Sequence, residues 1–261
     1  MIGRLFLALV MICGLQISSA WAYIPPSLFI VKSMATKHSG VKGVRVRTQV
    51  KAIEDGRPVD GISFKSVTAY DPQKNVLRGW AFDSENQVLF MVERRGNELN
   101  MANQLLFQAN PGETTQALIT GGVPIVSEQE LLALPDEDQR QRAETTSLKR
   151  WQGSIAWVIG QPDGPQLWVE KGSFLPLRLV ANSNELRFEG FHLYRGFPYP
   201  RSLLLAETSG EVRLREDLID FNTGPVTGDF KGEIVSGMTE AGRSSPSQLR
   251  KILEDYYKNV R

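Results

Sequence analysis

Histidine, cysteine and hydroxyl groups at catalytic spacing would be the plainest sign of chemistry in this chain, and few are present. The two histidines, His38 and His192, lie far apart, and no cysteine joins them to make a metal-ligand set. His38 falls at the end of a predicted helix, where a cation complements the dipole, and His192 sits between Phe191 and Leu193 in a predicted strand. Both read as structural residues. Thr145-Thr146-Ser147-Leu148-Lys149 brings hydroxyls near a lysine without the Ser-x-x-Lys spacing of an activated nucleophile. Asp136, Glu137 and Asp138 read as a polar turn before they read as a cation site. No Gly-x-Ser-x-Gly, phosphate loop, dinucleotide fingerprint or His-Glu-x-x-His occurs. The sequence therefore predicts no enzyme, no catalytic residue, no cofactor and no metal.

Large apolar side chains in strand-like segments are the more telling chemistry. Trp80, Phe82, Phe90, Trp157, Trp168, Phe188 and Phe191 are candidates for the wall of a hydrophobic ligand cavity. Such a wall would hold acyl chains, since each buried CH₂ contributes about 0.8 kcal/mol. Periodicity does not separate a filled core from a cavity, so both readings stand. Trp80 and Trp157 each alternate with small or polar neighbours, which predicts that both point to one concave, helix-covered side.

The elements that must position these residues follow from period and turn signals. Pro25-Pro26 open a helix from about Ser27 to Lys37, and Gly40 and Gly43 end it. Val44 to Ala52 then alternates strictly, as a strand with one buried face does. Further strands are predicted over Ile62–Tyr70, Val76–Phe82 and Val88–Glu93, separated by Asp- and Gly-containing turns. Leu99 to Gln108 reads as a short helix, and Ser127-Glu128-Gln129-Glu130 as a capping box before a second one. Asp136 to Arg150 is highly charged and reads as helical or mobile. A second meander covers Ser154–Ile159, Gln166–Glu170, Leu177–Ala181, Glu185–Leu193, Arg201–Glu207 and Glu211–Phe221. About nine or ten strands must curl. Runs of strands interrupted by helices, with no strand-helix-strand alternation, predict an α+β fold with one antiparallel sheet.

The last predicted element, Pro246 to Arg261, carries Leu249, Ile252, Leu253, Tyr256 and Val260 on one face and Arg250, Lys251, Glu254, Asp255 and Lys258 on the other. Ser245 and Gln248 form a capping box, and Gly237 to Ser244 reads as a tether. A helix this short is marginal alone and must dock. The convex or edge surface of the same sheet is the expected seat, with a separate partner as the alternative.

Residues 1–22 read as an export signal: Arg4, the apolar run Leu5 to Leu15, and Ala20-Trp21-Ala22 as the cleavage pattern, which places Tyr23 at the start of the processed chain. Cys13 lies inside this segment, and Val10-Met11-Ile12 before it lacks the small residues of a lipoprotein processing site. The expected location is the periplasm, without lipid anchor or disulfide. With 30 basic and 29 acidic residues and 41% hydrophobic ones, the composition is that of a globular chain with no electrostatic case for nucleic acid or for more than transient membrane contact.

The stretch from Leu167-Trp168-Val169-Glu170-Lys171-Gly172 to Ser173-Phe174-Leu175-Pro176-Leu177-Arg178-Leu179 resembles the hairpin of the LolA/LolB-type lipoprotein-carrier superfamily. Export signal, N-terminal helix, meander, central helices and second meander also follow that family's order. The resemblance implies a strongly curved antiparallel half-barrel covered by short helices (LolA-like), spanning 23–236, with a helical insertion around 127–150 and the amphipathic helix 245–261 beyond it. It implies binding of acyl chains of lipoproteins or lipids, in outer-membrane lipoprotein sorting. It also implies an arginine on an early strand that latches the lid helices, for which Arg45 and Arg47 are the candidates. The alternative function is an envelope regulator or protein-interaction module on the same fold, gripping an envelope protein partner.

Overall fold

Strict alternation in Val44 to Ala52 puts Val44, Val46, Thr48, Val50 and Ala52 on one buried face and leaves Arg45, Arg47, Gln49 and Lys51 on the other. That strand, β1 (Val44–Glu54), is the centre from which the sheet is built. The computed structural model describes residues 24–37, 40–107, 146–160, 162, 164–181, 184–207, 209–230 and 232–261. The predicted export signal, His38, the predicted helix after Ser127 and the predicted acidic turn Asp136 to Asp138 lie outside these residues.

Helix α1 (Ser27–Lys37) is followed by β1, β2 (Arg57–Asp71), β3 (Val76–Phe82) and β4 (Val88–Arg95), then by helix α2 (Met101–Phe107). The second run holds β5 (Thr146–Trp151), β6 (Ser154–Gly160), β7 (Gln166–Glu170), β8 (Pro176–Ala181), β9 (Asn184–Glu189), β10 (His192–Tyr194), β11 (Phe197–Tyr199), β12 (Ser202–Glu207) and β13 (Val212–Thr223). Two-residue β14 (Gly237–Met238), α3 (Glu240–Ser244) and α4 (Ser247–Asn259) complete the described elements.

Twelve strands form one open antiparallel sheet in the order β14-β4-β3-β2-β1-β13-β12-β9-β8-β7-β6-β5, and β10 and β11 make a separate hairpin. The two meanders are joined where β1 pairs with β13, Val44 opposite Thr223 and Ala52 opposite Leu214. Register shifts at Arg47/Thr48, Lys51/Ile53, Ala81/Phe82, Trp168/Val169 and Leu205/Ala206 bend the strands. The result is an α+β fold: a curved half-barrel whose inner face carries one apolar cluster, running from Leu77 and Val92 through Val46 and Phe64 to Leu186 and Trp157.

All three longer helices join that inner cluster, α1 through Ile30, Val31 and Met34, α2 through Ala102, Leu105 and Leu106, and α4 through Leu249, Leu253, Tyr256 and Tyr257. The fully buried Leu253 alone contributes roughly 1.5–3 kcal/mol. The seat of α4 is thus intramolecular but is the concave face, not the convex or edge surface that amphipathicity alone suggested. The outer face is occupied elsewhere: after β13 the chain crosses it to lay β14 beside β4, and Arg78 bonds the carbonyls of Asp229 and Gly232 on the way.

Four local expectations change. Thr146 to Trp151 is an edge strand paired with β6, not a helix, because its alternate residues meet Ile159 and Trp157 across the ladder. The predicted strand Glu185–Leu193 breaks at Gly190 (φ 65°), which turns the chain into the β10–β11 hairpin. Gly237 to Ser244 is no tether, since it forms β14 and α3, with Thr239 capping α3 by accepting from the Gly242 N–H at 3.2 Å. Ser245 accordingly does not cap α4. It donates to the Ala241 carbonyl at 3.0 Å, and Pro246 stands at the N-cap with no side-chain cap bond.

Candidate functional site

Alternation along β8, β9 and β12 turns one leucine of each inward at a common level: Leu179 lies opposite Leu186, and Leu186 opposite Leu205. Ala102 of α2 faces them, and between these elements lies a cleft of about 190 Å³. Its floor is Ala102, Leu179, Leu186 and Leu205, while Asn100, Asn184, Lys258 and Asn259 supply amides and one ammonium. An apolar floor with a few polar groups is the usual composition of a small-ligand site. The volume corresponds to roughly six waters, below the roughly 300–1,000 Å³ of pockets that enclose a drug-sized ligand.

Lys258 and Asn259 belong to the last turn of α4 and its end, so that helix is one wall of the cleft. Several polar bonds hold it there. Asn184 Nδ2 donates to Asn259 Oδ1 at 3.3 Å, Arg213 pairs with Asp255 at 3.3 Å, and Arg94 donates to the Tyr257 carbonyl at 2.7 Å. Aromatic contacts add to them, with Tyr257 stacked on Phe90 (4.4 Å between centroids, 9°) and Tyr256 edge-on to Phe64 at 5.3 Å.

Arg261, which follows α4, reaches the inner face fully buried and pairs with Glu216 of β13, and it also donates to the Tyr199 hydroxyl at 2.7 Å. Glu216 stands beside Val50 in the ladder, and the Thr48 and Tyr256 hydroxyls adjoin it. The cluster falls short of full satisfaction: Glu216 Oε2, Tyr256 Oη, Tyr257 Oη, Ser66 Oγ and Arg261 Nε are buried without a well-formed hydrogen bond. Burial pushes the Glu216 carboxyl above its ordinary value even though Arg261 pulls it down. Burial also works against the Arg261 charge, but Glu216 and Tyr199 outweigh it and hold the guanidinium protonated. Burial raises Tyr199 and Tyr256 as well, so both remain neutral hydroxyls. Sequence reasoning placed Tyr256 on the apolar face of the last helix but did not bring Glu216 and Arg261 together, since a lone glutamate in a strand and an arginine after a helix look like solvated charges.

The seven aromatic candidates do not share one face. Trp157 and Phe188 belong to the inner cluster, and the partly buried Phe90 and Phe191 pack against it. Trp80 pairs with Val67 and Met91, and Phe82 with Lys65 and Val88, on the outer face. The pleat decides this, because inner positions of β3 are Leu77, the Gly79 backbone and Ala81, and Trp80 and Phe82 lie between and beyond them. Trp168 packs in a separate outer cluster with Ala156, Val158 and Trp151, its indole N–H bonded to Gln166 Oε1 at 3.0 Å. Trp157 differs in having a buried indole N–H with no acceptor.

Neither arginine candidate for a latch faces the helices. Arg45 pairs with Asp229 at 3.2 Å on the outer face, and Arg47 is exposed, opposite Asp220 and Val67. Alternation from the buried Val44 and Val46 puts both there. His192 is exposed, with its ring 5.2 Å from that of Tyr194. Among the described residues no group of His, Cys, Asp and Glu is placed to hold a metal ion.

No protein-family model matches the chain, and no curated protein does. Among solved structures, the chain is similar to a LolA superfamily protein from Nitrosomonas europaea, 12% identical with a TM-score of 0.48 over 80% of this chain and 98% of that one. It is similar also to an outer membrane lipoprotein-sorting protein domain from Vibrio parahaemolyticus, 8% identical with a TM-score of 0.45 over 78% and 95%. MucB in its complex with MucA from Pseudomonas aeruginosa is 14% identical, with a TM-score of 0.32 over 79% of this chain and 61% of that one.

Proposed function

We propose that this protein is an exported, periplasmic, non-enzymatic carrier or binding protein for acyl chains of lipoproteins or lipids, acting in outer-membrane lipoprotein sorting. The observation that carries the reading is the cleft between β8, β9, β12 and the helices, whose Leu179, Leu186 and Leu205 suit a methylene chain and whose amides and Lys258 suit its polar end. Trp157 adds a buried N–H donor on the same inner face, where a carbonyl of an acyl ester or amide would satisfy it. Binding shields the chain from water, which is the energetic requirement for moving it across an aqueous compartment.

Native mass spectrometry of the protein purified without detergent tests the reading: co-purifying lipid or lipopeptide is expected. Ala181→Trp, at the half-buried rim of the cleft, fills it without altering the sheet ladder and is expected to abolish binding of an acyl probe. A ligand-free protein that shows no response to acyl probes would overturn it. A second reading, an envelope regulator that grips a protein, draws support from one observation: the inner face already accepts an amphipathic helix, α4, in the manner of helix-in-groove recognition. Cross-linking of an envelope partner's helix to the inner face of the full chain, with no acyl probe bound, would favour it.

A further inference from the structure

An open sheet has two edges, and in this one they differ. β14 is two residues long and is followed at once by α3, whereas β5 at the other edge presents six residues, Thr146–Trp151, with no described strand on its far side. A row of unpaired main-chain N–H and C=O groups of that length is a template for another strand.

The turn after β5 fixes which groups are unpaired. Gln152 and Gly153, with φ of 47° and 88°, make a two-residue type I′ connection, so Trp151 and Ser154 close the hairpin as a hydrogen-bonded pair. Bonded and non-bonded pairs alternate from there. Thr146, Leu148 and Arg150, opposite Ile159, Trp157 and Ile155, therefore turn their N–H and C=O groups away from β6. Their side chains share the inner side with Trp157. Lys149 lies on the outer side, its Nζ 5.5 Å from the centre of the Trp168 ring.

Two features define what fits this edge. Leu148 and its diagonal neighbour Ile155 are 36% and 41% exposed, which leaves apolar surface for an inward side chain of an added strand to cover. Lys149 and Arg150 are exposed and enter no ion pair among the described residues, and acidic residues opposite them would supply the missing charges. A second copy of the chain suits the edge poorly, because pairing β5 with itself gathers two lysines and two arginines in one short ladder.

We propose that β5 is a docking edge that takes, by antiparallel strand addition, an extended segment of a partner protein with acidic residues opposite Lys149 and Arg150 and an apolar residue opposite Leu148. Main-chain bonds to three residues supply affinity, and the alternating side chains supply choice of partner. β5 lies three strands from β8 in the sheet order, so the interaction stands whether or not the cleft binds acyl chains.

The probe is the capped peptide Thr-Glu-Glu-Val-Thr-Val-Thr, which in antiparallel register sets its glutamates opposite Arg150 and Lys149 and its first valine opposite Leu148. Fluorescence anisotropy and residue-resolved amide hydrogen exchange are read on residues 23–261. In the free protein the amides of Leu148 and Arg150 should exchange at least about tenfold faster than those of Ser147 and Lys149, and the peptide should slow them by about tenfold. Slow exchange at Leu148 and Arg150 without peptide would mean that the edge is already occupied and would overturn the proposal. N-methylation of the first valine, whose N–H faces β5, should weaken binding by about tenfold or more, whereas N-methylation of the threonine after it should not. Equal effects of the two methyl groups would overturn strand addition, and this comparison requires no change in the protein. Leu148→Pro removes one outward donor, leaves β6 its ladder bonds and should abolish binding. Lys149→Glu should weaken binding by about tenfold at low salt and by less at high salt. No peptide binding by the folded wild type, or a dimer of the chain that Leu148→Pro splits, would overturn the acidic segment as the occupant.

Discussion

Arg78 on β3 and Glu93 on β4 face each other across the outer side of the sheet, with Arg78 Nε 2.6 Å from Glu93 Oε2. The same guanidinium donates to the Asp229 and Gly232 carbonyls at 2.9 and 2.8 Å and lies 5.2 Å from the centre of the Phe230 ring. One ion pair thus fastens two strands and the segment that crosses them. Burial pushes the Glu93 carboxyl up, but hydrogen bonds and charges from Arg95 and Arg78 outweigh burial and hold it below its ordinary value of 4.5. A carboxylate with a lowered pKa contributes stability that is present above its unfolded value and is lost as pH falls through the folded one. Resistance of the wild type to urea should therefore weaken on acidification below 4.5, and Glu93→Gln should flatten that limb. An acid limb unchanged by the substitution would remove Glu93 from the account. Arg78→Met leaves Glu93 to Arg95 alone and takes the donor from the Asp229 and Gly232 carbonyls, and is expected to cost about 1–3 kcal/mol and to speed cleavage of the crossing segment between 229 and 236 in limited proteolysis.

Close approach of backbones predicts unequal costs for two glycines. A Cβ on Gly79 would meet Val92 Cγ1 at 2.9 Å and Tyr257 Cε1 at 3.1 Å, both side-chain atoms. On Gly242 of α3 it would lie 2.1 Å from the Leu89 carbonyl oxygen, which belongs to the sheet. Gly79→Ala should cost about 1–3 kcal/mol through overpacking. Gly242→Ala should cost more and displace α3, because backbone has nowhere to move; thermal melts of the two variants give the order.

On the outer face, Arg178 lies 4.6 Å from the centre of the Trp151 ring and 5.2 Å from that of Trp168, and pairs with Glu185, which Arg187 also holds. Glu185 is almost fully buried. Arg178→Lys keeps the charge but loses the planar stack and is expected to recover less than half of the stability lost in Arg178→Ala, itself about 2–4 kcal/mol. Full rescue by lysine in urea titrations would show that charge alone matters there.

Sidedness separates two tryptophans that sequence treats alike. Trp157→Ala opens the inner cluster and should cost about 3–5 kcal/mol. Trp80→Ala, on the outer face and half-buried, should cost about 1 kcal/mol. Equal costs in chemical denaturation would contradict the register of β3.

Local period settled much of the fold. The helix Ser27–Lys37 and the strands Val76–Phe82 and Gln166–Glu170 have the bounds that turn residues and alternation predict, since a period of 3.6 or 2 is a property of neighbours in sequence. Alternation in β1 likewise named its buried face. What alternation leaves open is which face of a strand such as β3 is concave, because a bulky apolar row suits either side of a twisted sheet. Pairing of β3 with β2, and of β2 with β1, decided that Ala81 faces inward and Trp80 outward, because Ala81 lies opposite Ser66 and that opposite the buried Thr48. The seat of α4 was decided in the same way. Its apolar stripe requires a docking surface, but Tyr257 against Phe90 and Arg261 against Glu216 are contacts between segments remote in sequence. Read along the chain, Glu216 and Arg261 are two solvated charges. Only the folded sheet removes both from water at one place, and removal from water is what makes each depend on the other.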